Sequence, residues 1–211
     1  MSRDEATRER LLREARFLFA ERGFKRVAVR EICRAAGANV AAVNYHFRDK
    51  LGLYIEVVKE AIAVLRETSE ETMRVPSGAS PEERIRTYIQ VWVRNVIEKG
   101  RDSWIHRIMQ HEQHDPTPAL DMVIDQGIKP RVVYLCRAVA EMLGREPTDD
   151  QVLLAVASIH GQCLIHLRSP VAARIFPRAR SEPFDAEAVA NHITEFSLAG
   201  LRAMAVPDRR F

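Results

Sequence analysis

Glycine is scarce in this chain, nine in 211 residues. Strand-like alternation bounded by turn residues is nearly absent, so almost every segment reads as helix. The three cysteines, Cys33, Cys136 and Cys163, are odd in number and form no CxxC pair. They read as reduced, buried thiols rather than a disulfide framework. Long apolar runs are also missing. The longest helical stretch without a charge, residues 151–167, contains Ser158, His160, Gly161, Gln162 and His166, and is too short and too polar to span a bilayer. The opening MSRDEATRER has no apolar core of a secretion signal. The expectation is a cytoplasmic protein with no membrane partner. Catalytic signatures are absent as well. His111-Glu112-Gln113-His114 spaces its histidines by three and is not in HExxH register. There is no nucleophile elbow and no phosphate-binding glycine loop. No enzyme, cofactor or metal site is therefore expected.

What remains is an ordinary folded composition, 46% hydrophobic and 29% charged. Helices can be placed by their caps. The first covers residues 4–22, opened by a capping box of Ser2 with Glu5 and stopped by Gly23. Two short helices follow at residues 29–36 and 40–46, separated by Gly37-Ala38-Asn39, with Asn39 as cap. A long fourth helix covers residues 49–73. Val75-Pro76-Ser77-Gly78-Ala79 is the clearest linker. Ser80-Pro81 with Glu83 opens a helix ending near Gly100, and another covers residues 102–114. The break at Asp115-Pro116 is followed by a restart at Thr117-Pro118. Pro130 kinks or divides the next stretch, which ends near Gly144. Thr148 with Gln151 boxes a helix reaching about Arg168. A Pro- and Arg-rich loop fills residues 169–183, and Asp185 caps a last helix running to about Val206.

Charge is uneven along this series. Residues 1–60 hold 13 Lys and Arg against 9 Asp and Glu, a balance of +4, and the remainder is −1. A basic N-terminal part suits contact with a polyanion. In that part the two short helices meet at a glycine turn, and small residues Ala35, Ala36 and Ala38 permit close approach. With Val43 and Phe47 packed inward beside Ile32, residues Val40, Ala41, Asn44 and Tyr45 face out as a groove-reading surface. Tyr45 and His46 can meet the phosphate backbone, Lys50 sits in the first turn of the fourth helix, and Arg30 could reach a base edge or a phosphate. The pattern alone also fits a three-helix packing unit that never touches DNA.

The segment VREICRAAGANVAAVNYHFRDKLGLYIEVV, within residues 9–58, resembles the DNA-binding domain of the TetR family of regulators. Its AAG turn, YHF ending, Lys50 and GLY triplet carry the likeness. The resemblance implies a homodimer that sets each third helix in a major groove of a palindromic double-stranded operator. By that carry-over Arg30, Val40, Ala41 and Tyr45 match base-contacting positions, and Asn39, Ala42, Asn44, His46 and Lys50 match positions near phosphate. The chain departs from the family pattern at Ala28, where Thr is common, and at Asn44, where Tyr is common. Base readout would therefore rest on few side chains.

The expected fold class is all-α: a three-helix DNA-binding domain over residues 1–50 and a larger helical domain over residues 51–211 for effector binding and dimerisation. Residues 51–74 would be the connecting helix. The last two helices carry apolar or small residues on more than one face, including Leu153, Ala157, His160, Leu164, Val189, Ile193, Phe196 and Gly200. These are expected to pair with their copies as an intersubunit four-helix bundle; burial within one subunit is the alternative. Trp92, Trp104, His106, Met109, Gln110, Met122, Tyr134, His160, Gln162 and Cys163 are large, soft or polar residues on several helices. They could line a cavity for an unknown small-molecule effector, although ordinary core packing accounts for any one of them. The segments DPTPALDMVIDQGIKPRVVYLC and SIHGQCLIHLRSP resemble the CecR-like subgroup, which implies a regulator of drug-tolerance or efflux genes. The expected activity is repression relieved by the effector. The rivals are an activator or ligand-independent regulator of the same fold, and a helical protein-binding scaffold.

Overall fold

The computed structural model describes residues 3–100, 103–164 and 185–205. Ser2, residues 169–183, where a loop is expected, and the chain beyond 205 lie outside the described residues. Among the described residues there are ten α-helices: α1 (Arg3–Arg26), α2 (Val29–Ala36), α3 (Val40–Phe47), α4 (Lys50–Met73), α5 (Pro81–Arg94), α6 (Trp104–His114), α7 (Leu120–Val123), α8 (Lys129–Leu143), α9 (Asp150–Leu164) and α10 (Ala186–Ala205). Wider π turns extend α5 over Asn95–Gly100 and join α7 to α8 over Ile124–Ile128. Among the described residues there is no strand and no helix long and apolar enough to cross a membrane.

Local chemistry explains most boundaries. The Asn39 side chain accepts from the Ala42 amide at 2.9 Å and starts α3. Ala28 cannot cap α2. Instead the Glu31 carboxylate reaches back to the Ala28 amide at 2.9 Å, and that bond, followed by Arg22, holds its pKa below the ordinary carboxylate value. Gly37 (φ 60°) and Gly144 (φ 64°) end α2 and α8 in the left-handed conformation. Two boundaries differ from the sequence reading. Gly23 breaks the backbone (φ 76°), yet helix resumes to Arg26. Asp149, not Thr148, caps α9, its carboxylate taking the Gln151 amide at 2.8 Å. Pro130 divides rather than kinks: it stands in the first turn of α8.

Packing separates two units. The first contains α1, α2, α3, α4 as far as Leu65, α6 and α7. Its core includes Leu11, Ala15, Phe19, Ile32, Val43, Leu53, Tyr54, Val57 and Ile108, each fully buried. Phe19 meets Tyr54 edge-on at 5.0 Å, and Phe24 lies 5.0 Å from the same ring. Here α6 lies against α1. His111 packs on Gly23, and its Nε2 lies 3.1 Å from the Ala20 carbonyl. Glu112 is buried and accepts from the Tyr54 hydroxyl at 2.6 Å, the Thr117 hydroxyl at 2.8 Å and the Thr117 amide at 3.0 Å. The second unit contains the rest of α4 with α5, α8, α9 and α10 around one core that includes Ile85, Tyr88, Ile89, Leu135, Val139, Val152, Ile159, Ile193 and Leu198. The expected boundary at residue 50 sets off a DNA-binding part, whereas the packing units divide within α4 after Leu65. Residues 75–79 fall inside the second unit, and α6 belongs with the N-terminal helices because Glu112 and His111 are bound to α4 and α1.

Candidate nucleic-acid interface

α3 presents two different faces. Val43 and Phe47 are buried, and the phase of an eight-residue helix then sends Val40, Ala41, Asn44 and Tyr45 outward, all exposed. Tyr45 is 76% exposed, its ring edge-on to His46 at 4.9 Å. Arg30 on α2 is also exposed, as is Asn39, whose amide nitrogen remains after its oxygen caps α3. Ala42 is half-buried.

The remaining two expected phosphate contacts have other engagements. The His46 side chain is 8% exposed, and its Nε2 stands 3.4 Å from an Asp4 oxygen. The Lys50 ammonium lies 4.4 Å above the Phe24 ring, and burial lowers its pKa. The amides at the start of α4 are partly spent too, since Asp49 accepts from the Gly52 amide at 2.8 Å. Gly52 is required there: a Cβ would collide with the Phe47 carbonyl oxygen, so its absence lets α4 start hard against the end of α3. Arg48 was not singled out from the sequence. It joins α3 to α4 with φ 76° and is exposed. A basic residue between the helix end and Lys50 was the available signal.

The expected effector residues fall in both units. Trp104, His106, Met109, Gln110 and Met122 belong to the first. There Trp104 lies under the Arg16 guanidinium at 5.3 Å, and His106 has a buried Nε2 with no partner and a pKa lowered by burial. Met109 and Met122 are half-buried, and Gln110 is exposed. Trp92, Tyr134, His160, Gln162 and Cys163 belong to the second unit. Gln162 reaches Ser197 at 3.3 Å. Trp92, His160 and Tyr88 instead form one cluster: the Trp92 and His160 rings are 4.5 Å apart, and the Tyr88 hydroxyl is 2.6 Å from His160 Nε2. Arg131, on α8, stacks on Trp92 at 5.3 Å. Neither Tyr88 nor Arg131 was expected. Two shallow surface clefts, one lined by Val75, Pro76 and Arg86 and one by Arg10, Arg13 and Glu60, include none of the expected effector residues. Among the described residues, no group of His, Cys, Asp and Glu could hold a metal ion.

The residues expected at a subunit interface divide likewise. Leu153, Ala157, Leu164, Phe196 and Gly200 are exposed, and His160 is half-buried. Val189 and Ile193 are instead packed into the core of their own unit, because α10 turns that side toward α5 and α8. Its other side carries Phe196 (66% exposed) and Met204.

A glycine-hinged pair of short helices, the second with an uncovered outer face and basic flanks, defines a helix-turn-helix DNA-binding protein. Comparison with known proteins agrees in both halves. Residues 11–57 match the model of bacterial regulatory proteins of the tetR family, and residues 81–201 match that of the HTH-type transcriptional dual regulator CecR, C-terminal domain. The chain therefore belongs to the TetR family of transcription regulators, with a second half of the CecR type. It is 29% identical over 168 residues to the HTH-type transcriptional dual regulator CecR of Shigella flexneri, covering 76% of this chain and 75% of that one. It is 32% identical over 80 residues to the probable regulator YttP of Bacillus subtilis, covering 38% and 39%. Similar solved folds include AibR in complex with isovaleryl coenzyme A and operator DNA (TM-score 0.65, 19% identity, 90% of this chain and 97% of that one). Another is FadR of Bacillus subtilis in complex with stearoyl-CoA (TM-score 0.60, 19% identity, 91% and 98%).

Proposed function

We propose that this regulator is a cytoplasmic homodimeric repressor that a small-molecule effector releases from a palindromic operator. The observation that carries the reading is the outer face of α3, where Val40, Ala41, Asn44 and Tyr45 stand clear of the core. Arg30, Asn39, Ala42 and Arg48 flank it, with His46 and Lys50 closing the phosphate side. The dimer is supported by the apolar and small residues left uncovered on α9 and α10: Leu153, Leu154, Ala157, Leu164, Phe196 and Gly200. No atom outside the glycine's surroundings stands within 4 Å of a Cβ built on Gly161 or Gly200, so a second copy can approach both helices closely. Two reading helices would then stand about one DNA turn apart, roughly 34–36 Å. An effector that prefers another spacing lowers operator affinity by its differential affinity for the two states. Effector control is supported by the fold, since AibR holds an acyl-CoA and operator DNA together. Activation is the second reading, because the Shigella flexneri relative is described as a dual regulator.

A gel-shift titration against the DNA upstream of the protein's own gene tests this function, with light scattering to read the oligomer. Lys50→Ala is expected to weaken binding to all sequences and flatten the salt dependence. Tyr45→Ala is expected to change sequence preference as well. Equal binding by both variants and the wild type refutes the interface, and a monomer at micromolar concentration refutes the dimer.

A further inference from the structure

We propose that Arg131, with Tyr88, Trp92 and His160, is the anchor of a binding site for a small organic carboxylate in the second unit. Arg131 is 8% exposed, so it is more than nine-tenths buried. Buried guanidinium groups are ordinarily matched by a carboxylate, because an unmatched charge loses its water for nothing. Here no carboxylate among the described residues approaches it. The ionisable group that acts on it is the Tyr88 phenol, and its Nε has no hydrogen-bond partner.

The neighbours are neutral. Burial raises the Tyr88 pKa above its ordinary value, with the Arg131 charge opposing, so the phenol keeps its proton at neutral pH. Burial, followed by the Arg131 charge, holds His160 down to about 4, so the imidazole is uncharged there. The Tyr88 O–H therefore donates to His160 Nε2 across 2.6 Å, and its oxygen faces the guanidinium. Trp92 offers its ring to the cation at 5.3 Å. This set orients a cation without neutralising it. The Arg131 fork matches a carboxylate in shape and charge. Beside the Tyr88 phenol lie Cys136 and Cys163, the latter a thiol pushed up to about 12 and uncharged. Burial raises the pKa of both thiols, so neither puts a charge beside the guanidinium to compete with an anion. His160 is the half-buried member of the cluster and marks its more open side. The assignment rests on the effector-release reading above and names the chemistry the effector carries.

The test uses the whole protein and matched pairs of probes: octanoate with octanamide, and benzoate with benzamide. Binding is read by quenching of tryptophan fluorescence and by thermal shift. Expected is binding of at least one acid at millimolar concentration or tighter, with its amide weaker by about ten- to hundredfold, the loss typical when a charged hydrogen-bonding partner is removed. Arg131→Gln should abolish that preference for the acid. Arg131→Met should leave the free protein as stable as wild type, or more so, because its charge has no carboxylate among the described residues to lose. If Arg131→Gln does not fold, Arg131→Lys serves, since a point charge should keep part of the acid preference. Equal binding of acid and amide, binding of neither acid, or an unchanged preference in Arg131→Gln overturns the assignment. A large loss of stability in Arg131→Met also overturns it, because the guanidinium would then be satisfied within the fold. The DNA titration remains separate. An acid that binds through Arg131 without weakening operator affinity refutes effector release and leaves the anchor standing. An uncharged effector that releases DNA equally from wild type and Arg131→Gln does the reverse.

Discussion

His160 should make the second unit's stability depend on pH in a way that its removal cancels. Its ordinary value of 6.5 falls to about 4 in the fold, through burial first and the Arg131 charge second. The neutral form is the one the fold accepts. Above pH 6.5 both folded and unfolded chains carry a neutral imidazole, and the stabilisation is fully present. As pH falls from 6.5 toward 4, the unfolded chain takes a proton that the folded chain refuses, and stability drops. Below about 4 both forms are protonated and the loss ends. A gap of about 2.5 units at 1.36 kcal/mol each corresponds to a loss of about 3 kcal/mol across that window. His160→Gln keeps a side-chain acceptor for the Tyr88 hydroxyl but does not titrate. Urea denaturation of both proteins, followed by helical circular dichroism at a series of pH values, isolates the effect, because the other histidines cancel in the difference. The variant should sit at a constant offset above pH 6.5 and gain on wild type below it. A difference that stays flat from neutral pH to pH 4 refutes the reasoning. Arg131→Met in the wild-type background should shrink the slope without abolishing it, since burial is the larger cause.

Three further outcomes follow from the first unit. Tyr54→Phe removes one of the three hydrogen bonds to buried Glu112 and should cost about 1.5–3 kcal/mol in urea denaturation; a cost within error would mean the carboxylate is served by water instead. Gly52→Ala forces the start of α4 off the Phe47 carbonyl, so it should lower the thermal midpoint and weaken DNA binding together. Unchanged values for both would contradict the packing described. Asn39→Ala removes the α3 cap and should cost about 1 kcal/mol, read by denaturation in the absence of DNA.

The sequence made the exposed face of α3 legible because two short-range signals agree there. Asn39 and Gly37 bound the turn, and the spacing of Val43 and Phe47 sets the buried side of the helix. It could not reveal that His46 and Lys50 are partly consumed, since Asp4 and Phe24 come from a different helix and only folding brings them near. The packing units are hidden from the sequence for the same reason. A Pro-Gly linker is a local signal, whereas the attachment of α6 to α1 and α4 rests on contacts such as Glu112 with Tyr54, 58 residues apart. On α10, Val189, Ile193 and Phe196 are all expected at the subunit interface. Packing uses the first two inside the unit and leaves the third outside, because a wide apolar surface can serve two neighbours.

Two charged residues occupy positions that helical phase assigns to the core, and the structure resolves them in opposite ways. Glu112 lies one turn after buried Ile108 on α6. Arg131 lies one turn before Leu135 on α8, on the stripe continued by Ala138 and Val139. A search for apolar residues passes over both, although the 3.6-residue period places them inside. Glu112 receives three donors from two elements of its own unit, so its charge is met where it stands and its role is to fasten α6. Arg131 receives a neutral phenol, an indole face and no carboxylate among the described residues. A buried charge costs several kcal/mol to desolvate, and only good geometry with its remaining hydrogen bonds satisfied offsets that cost. The same departure from the hydrophobic pattern thus marks a structural fastener in one unit and, on the proposal above, an anion anchor in the other; what separates them among the described residues is that both Glu112 oxygens receive donors whereas Arg131 Nε has no partner.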